Sequence, residues 1–279
     1  MKSKRLVILS LLLLGCMSVT GCDFPWNNNT QNADDNDSTT DEDTTPEKKE
    51  DTYYKTITDQ TGNALLSALH SIINNSSVST SYSWSRFEAA DKDPNNPNNI
   101  ITIYARSSLS KSAHVSGNVG WNREHTFPQS KLPSEQAIND NHIVFASDYK
   151  INEARSSYKM GVLTTGSTLT DSYGNSTTCR LGSVFDPNNV ARGIVARSTM
   201  YVAAMYGCNP ADNFESITTM INWHLEYTVD ESDLNRNEVV YKNQKNRNPF
   251  VDHPEYACKI WGSTNSATKS ACSNAGYTY

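Results

Sequence analysis

Residues 121–130, WNREHTFPQS, put Arg123, Glu124 and His125 side by side and close with Pro128. A carboxylate can hold a cation, and an imidazole with an unperturbed pKa of about 6.5 can take a proton from water near neutral pH. On a regular strand adjacent side chains face opposite ways, so Glu124 and His125 are expected to serve one site only where the backbone leaves regular geometry. Pro128 supplies a reason for such a departure. An arbitrary Glu-His dipeptide is two solvated polar residues; what changes the odds here is the company further along the chain. Residues 139–161, NDNHIVFASDYKINEARSSYKMG, gather His142, Asp148, Asn152, Glu153 and Arg155, and RGIVAR at 192–197 and NRNEVVYKNQKNRNPFVDHPE at 235–255 follow.

The elements that must position these groups are legible in outline. TGNALLSALHSIINN (61–75) places Leu65, Ala68, Leu69, Ile72 and Ile73 at helical spacing, with His70 on the helix surface. NNIITIYAR (98–106) reads as a strand, and GIVARSTMYVAAMYG (193–207) as an apolar helix stopped by Gly207. Arg197 stands among apolar neighbours in that helix, either snorkelling or held toward an anion. Helices and strands do not alternate regularly, which predicts an α+β fold, not a doubly wound sheet.

The domain is preceded by two other kinds of segment. Residues 1–22 run from Lys2, Lys4 and Arg5 through LVILSLLLLG to VTGC, the order of a secretory signal. VTGC resembles a bacterial lipobox, with Cys22 as the lipidated residue and Cys16 as a second candidate; a plainly cleaved signal is the alternative. Residues 23–52 are dense in Asp, Asn and Thr and read as a disordered acidic tether, about 30 Å across as a coil. Of the net charge of −6, this tether carries −8 and the signal +3, leaving residues 53–279 near neutral with −1. Such a balance neither favours nor excludes a phosphate polymer, since a local basic patch decides.

Residues 53–279 suit one domain with a sizeable core. Its four cysteines, Cys179, Cys208, Cys258 and Cys272, allow three pairings in an exported chain; the expected ones are Cys179 with Cys208 and Cys258 with Cys272. The absence of C-x-x-C disfavours a four-cysteine zinc site.

Taken in order, these motifs resemble the endonuclease I family of secreted, metal-dependent, sequence-nonspecific nucleases, over nearly all of residues 53–279. YYKTITDQTGNALLSALHSII and IITIYA also look like the start of that family's domain. The resemblance implies a ββα-metal (His-Me finger) element in which Glu124 and Asn152 hold a divalent metal and His125 is the general base. It implies further that Arg155 accompanies Asn152, that Arg192, Gly193 and Arg197 form a matching segment, and that Arg155 and Arg197 clamp phosphate. Mg²⁺ is the expected ion, with Ca²⁺ or Mn²⁺ as alternatives. DNA, with RNA as a further candidate, is the expected substrate, cut to 5′-phosphate and 3′-hydroxyl ends by a monomer whose membrane contact is the lipid anchor alone. One departure is Asn141 where the family has an apolar residue between Asp and His, so His142 is assigned a structural role.

Physical chemistry agrees with that division of labour. A phosphodiester repels nucleophiles, so its hydrolysis needs an activated water, a cation against the charge building on phosphorus, and help for the leaving oxygen. Two oxygen donors leave most of an octahedral shell open for water and phosphate. Tyr149 with Lys150 and Tyr158 with Lys159 could grip unpaired strands. Asn246, Arg247 and Asn248 are expected to make backbone contacts near a core Phe250, and His253 is a minor metal candidate. The rival classes are a zinc hydrolase using His114, His125 or His142, for which no H-E-x-x-H spacing exists, and a surface-displayed binding module without catalysis.

Overall fold

The computed structural model describes residues 52–279 except Tyr82 and 115–117, together with the backbone but not the side chain of Ser76. The signal, Cys22 and the tether up to Asp51 lie outside the described residues. In chain order the elements are α1 (Gly62–Ser76), α2 (Trp84–Ala90), β1 (Asn99–Ile101), β2 (Ser108–Ser110), β3 (Trp121–His125), α3 (Glu135–Ile138), β4 (Val144–Asp148) and α4 (Tyr149–Arg155). They continue as β5 (Ser167–Thr170), β6 (Ser176–Leu181), β7 (Phe185–Asp186), α5 (Asn189–Tyr206), α6 (Ile217–Glu226), α7 (Glu231–Gln244), α8 (Pro249–Asp252), α9 (Glu255–Trp261) and α10 (Ser266–Asn274). Three small antiparallel sheets, β1-β2, β3-β4 and β5-β6-β7, stand among helices, which is an α+β architecture.

Helix α5 is the axis of the main core. It is buried from Gly193 to Met205, capped by the Asn188 side chain on the Val190 N–H and closed by Gly207 in the left-handed region at φ 67°. A helix apolar on every side must be covered on every side, and α1 and α6 pack against it. The spacing that predicts α1 does bury Leu65, Leu69 and Ile73. His70 does more than decorate its surface, for Nδ1 lies 3.0 Å from the Met205 carbonyl at the end of α5. The strand expected over 98–106 is shorter than its apolar composition suggests. It ends at Ile101 because the chain turns back through Arg106, at φ 56°, to make β2. Phe250 is fully buried as expected, and Asn248 caps α8.

The β3-β4 ribbon divides two cores. Phe145, on the face shared with Glu124, joins the main core with Ile151 of α4. Trp121, Val144 and Ala146, on the opposite face, form a smaller core with Phe87 and Ile100.

Of the expected disulfides, Cys258–Cys272 forms, pinning α9 to α10 across a sequence separation of 14. The Cys179–Cys208 pair does not. Both are free thiols engaged with different parts of the chain, Cys179 Sγ donating to the Tyr104 carbonyl and Cys208 Sγ to that of Lys131. Burial pushes the Cys179 thiol up to about 11.

His224 on α6 is 2% exposed and its Nε2–H donates to the Pro254 carbonyl at 2.9 Å. Burial, aided by the Arg197 charge, pulls its pKa from 6.5 to about 4. The unfolded chain binds this proton near pH 6.5 and the folded one only near 4, so the contribution to stability is whole above 6.5 and is lost as pH falls toward 4. Urea unfolding between those limits is expected to show wild-type stability falling more steeply than that of His224→Gln, by up to about 1.4 kcal/mol per pH unit. Parallel slopes would contradict the assignment.

Candidate active site

Strand β3 pairs with β4 in unbroken register, from Trp121 opposite Asp148 to Glu124 opposite Phe145 and His125 opposite Val144. The expected irregularity between Glu124 and His125 is therefore absent; regular pairing runs through His125, and the chain departs only after it, toward Pro128. The two side chains leave the ribbon on opposite faces. The ribbon that carries them is two strands wide.

Four residues meet on the Glu124 face. Asn122 shares it by alternation, and α4, which directly follows β4, supplies Asn152 and Arg155 from one side of the helix. The junction is fixed by Asp148, whose Oδ1 accepts from the Lys150 and Ile151 N–H groups as an N-cap and whose Oδ2 accepts from Ser172 Oγ at 2.6 Å. One turn on, Asn152 Nδ2 donates to Asn122 Oδ1 at 2.7 Å and points at the Arg123 carbonyl at 3.4 Å. Holding the amide nitrogen inward turns the amide oxygen the other way. Arg155 Nη1 lies 3.2 Å from Glu124 Oε1, and the Tyr104 hydroxyl donates to the same oxygen at 2.6 Å. Both side-chain contacts of the carboxylate thus fall on Oε1. Burial raises the Glu124 pKa to about 7, against the opposing pull of Arg155 and Tyr104.

His125 is 8% exposed and is held by a bond from Nε2 to the Ile138 carbonyl at 2.8 Å. A carbonyl only accepts, so Nε2 carries the hydrogen and Nδ1 is the basic nitrogen of the neutral ring. Burial lowers the pKa below 6.5; the Ile138 bond opposes it, and the charges of Arg155 and Arg123 add smaller lowering contributions. The imidazole is consequently unprotonated at neutral pH.

The expected arginine clamp takes a different form. Arg155, 1% exposed, spends Nη1 on the His125 carbonyl at 3.1 Å and Nη2 on the Thr126 carbonyl at 2.9 Å and on Asn213 Oδ1 at 2.7 Å. Arg197 is equally buried, in an ion pair with Asp233 at 2.6 Å and a bond to the Tyr227 carbonyl at 2.8 Å. Both arginines are thus drawn inward by carbonyls and carboxylates that their charges must satisfy, and neither faces solvent as a phosphate clamp would. Arg192 pairs with Asp186 at 2.6 Å. Gly193 is forced by packing: a Cβ there would lie 2.1 Å from the Tyr227 carbonyl oxygen. His142 is structural, with burial lowering its pKa to about 4 and Nε2 bonded to the Asn246 carbonyl. His253 pairs with Glu255 and stacks on Tyr256. Tyr104, Asn122 and Asp148 carry the site as much as the motif residues do; the alternation Asn122/Glu124 was the one sequence signal that could have found Asn122.

Among the described residues no three or more His, Cys, Asp or Glu side chains gather as a metal cluster. What the β3-β4-α4 element carries instead is a carboxylate and an amide on one face of the ribbon and an imidazole on the other. The family model for endonuclease I matches residues 61–255, and the chain belongs to the endonuclease I family. It is 34% identical to an extracellular ribonuclease of Bacillus amyloliquefaciens, in a match covering 76% of this chain and 78% of that one. It is 35% identical to an extracellular ribonuclease of Bacillus subtilis (strain 168), with the same shares covered. It is therefore an endonuclease, a hydrolase of phosphodiester bonds.

Removing Arg155 strands a buried carboxylate and four further acceptors at once, the carbonyls of His125, Thr126 and Ser156 and Asn213 Oδ1. Arg155→Met is expected to lower stability in urea by about 3–5 kcal/mol. Adding Glu124→Gln should recover part of that loss, read as coupling in a double-mutant cycle; strictly additive losses would show that the pair is not a unit.

Proposed function

We propose that this chain is a secreted, metal-dependent endonuclease that cuts nucleic acid without sequence preference, leaving 5′-phosphate and 3′-hydroxyl ends. One observation carries the proposal: the Ile138 carbonyl fixes the His125 tautomer so that a basic nitrogen stands on the ribbon whose other face presents Glu124 and Asn152. RNA enters as a substrate beside DNA through the names of the two relatives, which also favour secretion. The lipid anchor at Cys22, the acidic tether and a monomeric state belong to the same proposal.

The residues present fit a divalent cation. Glu124 and Asn152 offer hard oxygen donors, and Asn122 keeps the Asn152 amide from presenting its nitrogen instead. A divalent cation such as Mg²⁺ supplies positive charge against the oxygens of phosphorus and the departing 3′-oxygen. Burial raises the Glu124 pKa to about 7, so a cation held there would compete with a proton for the carboxyl.

His125 Nδ1 accepts the proton of the attacking water, and the new imidazolium is stabilised by the Nε2–H bond to Ile138. Low proton affinity keeps the base ready at neutral pH. Tyr104 and Arg155 hold Glu124 still, and Arg155 also fixes the backbone at His125 and Thr126. Preorganisation of this kind spares the site from reordering during the reaction. Nothing in the site reads base edges, and phosphate-directed contacts cut many sequences alike.

Plasmid nicking and RNA cleavage are expected to stop with chelator and return with Mg²⁺, and His125→Ala should lower kcat by about 100-fold or more. Cleavage that survives chelation, or a His125→Ala protein close to wild type, would remove the scheme.

Asn122→Ala frees the Asn152 amide to turn over. Its Mg²⁺ requirement, measured as the concentration giving half-maximal nicking, is expected to rise about 10–100-fold. An unchanged titration would exclude Asn152 as a held ligand.

A further inference from the structure

With Arg155 and Arg197 turned inward, another cation lies on the face of β3 that carries His125. Arg123 is half-buried and stands two residues before His125, so its side chain leaves the ribbon on the same side, about 7 Å along the strand. That spacing is on the scale of one nucleotide. The Arg123 guanidinium lies 4.1 Å over the Trp84 ring. Trp84 stacks on His114 with centroids 4.5 Å apart and meets Trp121 edge-on at 5.2 Å. Trp121 is fully buried, and its Nε1–H donates to the Ser110 carbonyl at 3.0 Å.

This tier of rings fixes the direction of a long side chain that would otherwise lose rotamer freedom on gripping a ligand. Stacking engages the flat face of the guanidinium, whose N–H groups radiate in its plane, the arrangement that suits phosphate oxygens.

We propose that Arg123, held flat on Trp84, is a positioning residue for the phosphate next to the scissile one, so that substrate is gripped through two successive phosphates of one strand. The proposal deepens the nuclease reading and rests on it. Trp84, His114 and Trp121 act through Arg123, by fixing its plane.

The test compares kcat/KM, at saturating Mg²⁺, for a trinucleotide with two phosphates and a dinucleoside monophosphate with one. In Arg123→Gln, which keeps a planar group over Trp84 without the charge, the preference for the trinucleotide should fall about tenfold, as for the loss of one charge-assisted hydrogen bond. The loss should enter through KM, and Arg123→Lys should restore part of it. On longer single strands the slope of log KM against log salt should shrink by about 0.7, one phosphate contact fewer. Trp84→Leu should move the preference in the same direction by less. A retained preference with an unchanged salt slope, or an equal fall in kcat on both substrates, would overturn the assignment. A wild-type protein that cuts no nucleic acid would instead remove the nuclease reading itself.

Discussion

The site hangs on one buried guanidinium. Arg155 reaches from the end of α4 to the Glu124 carboxylate, to the carbonyls of His125 and Thr126, and to Asn213. A charge taken out of water is tolerable only when its donors are satisfied, so burying Arg155 dictates where each of those acceptors lies. In this way one residue sets both the height of Glu124 above the ribbon and the path of the backbone at His125. The Nε atom is buried with no partner among the described residues, which makes the arrangement intolerant of any further lost acceptor.

The second constraint is the width of the ribbon. Two strands suffice to hold Glu124 and His125 in fixed register, and a third would cover the edge where the faces meet. Each face is backed by its own apolar core, through Phe145 and Ile151 on one side and through Trp121, Val144 and Ala146 on the other. The ribbon cannot tilt without opening one core or crowding the other. Rigidity at Glu124 and His125 thus comes from packing on both sides of a minimal sheet.

How much of this was readable beforehand depends on the range of each interaction. The α+β class, α1 and the course of α5 with its Gly207 stop follow from local spacing, and the placing of Asn152 against the strand of Glu124 follows from the ordered motifs. What escaped depends on partners distant in sequence. Arg197 looks like a ligand clamp until Asp233, on α7, is seen beside it, and Cys179 looks like half of a disulfide until its thiol is found on the Tyr104 carbonyl. Asn122 and Tyr104 lie inside quoted segments without a chemistry of their own; their importance exists only once α4 and the segment after β1 are folded against β3. The departure from regular geometry expected near Pro128 comes one residue too late to rotate His125 toward Glu124, because pairing with β4 holds the strand through His125.

The pairing of the cysteines bears on how an exported chain would mature. Joining Cys258 to Cys272 closes a short loop, and short loops meet more often than long ones in an unfolded polypeptide. Among the four cysteines of the folded domain, the correct bridge is therefore the kinetically nearest one. Once the domain closes, the thiol of Cys179 is sealed away and stays protonated, which denies it the ionised sulfur that exchange requires. Oxidative maturation of such a chain would have one dominant route and little opportunity for reshuffling.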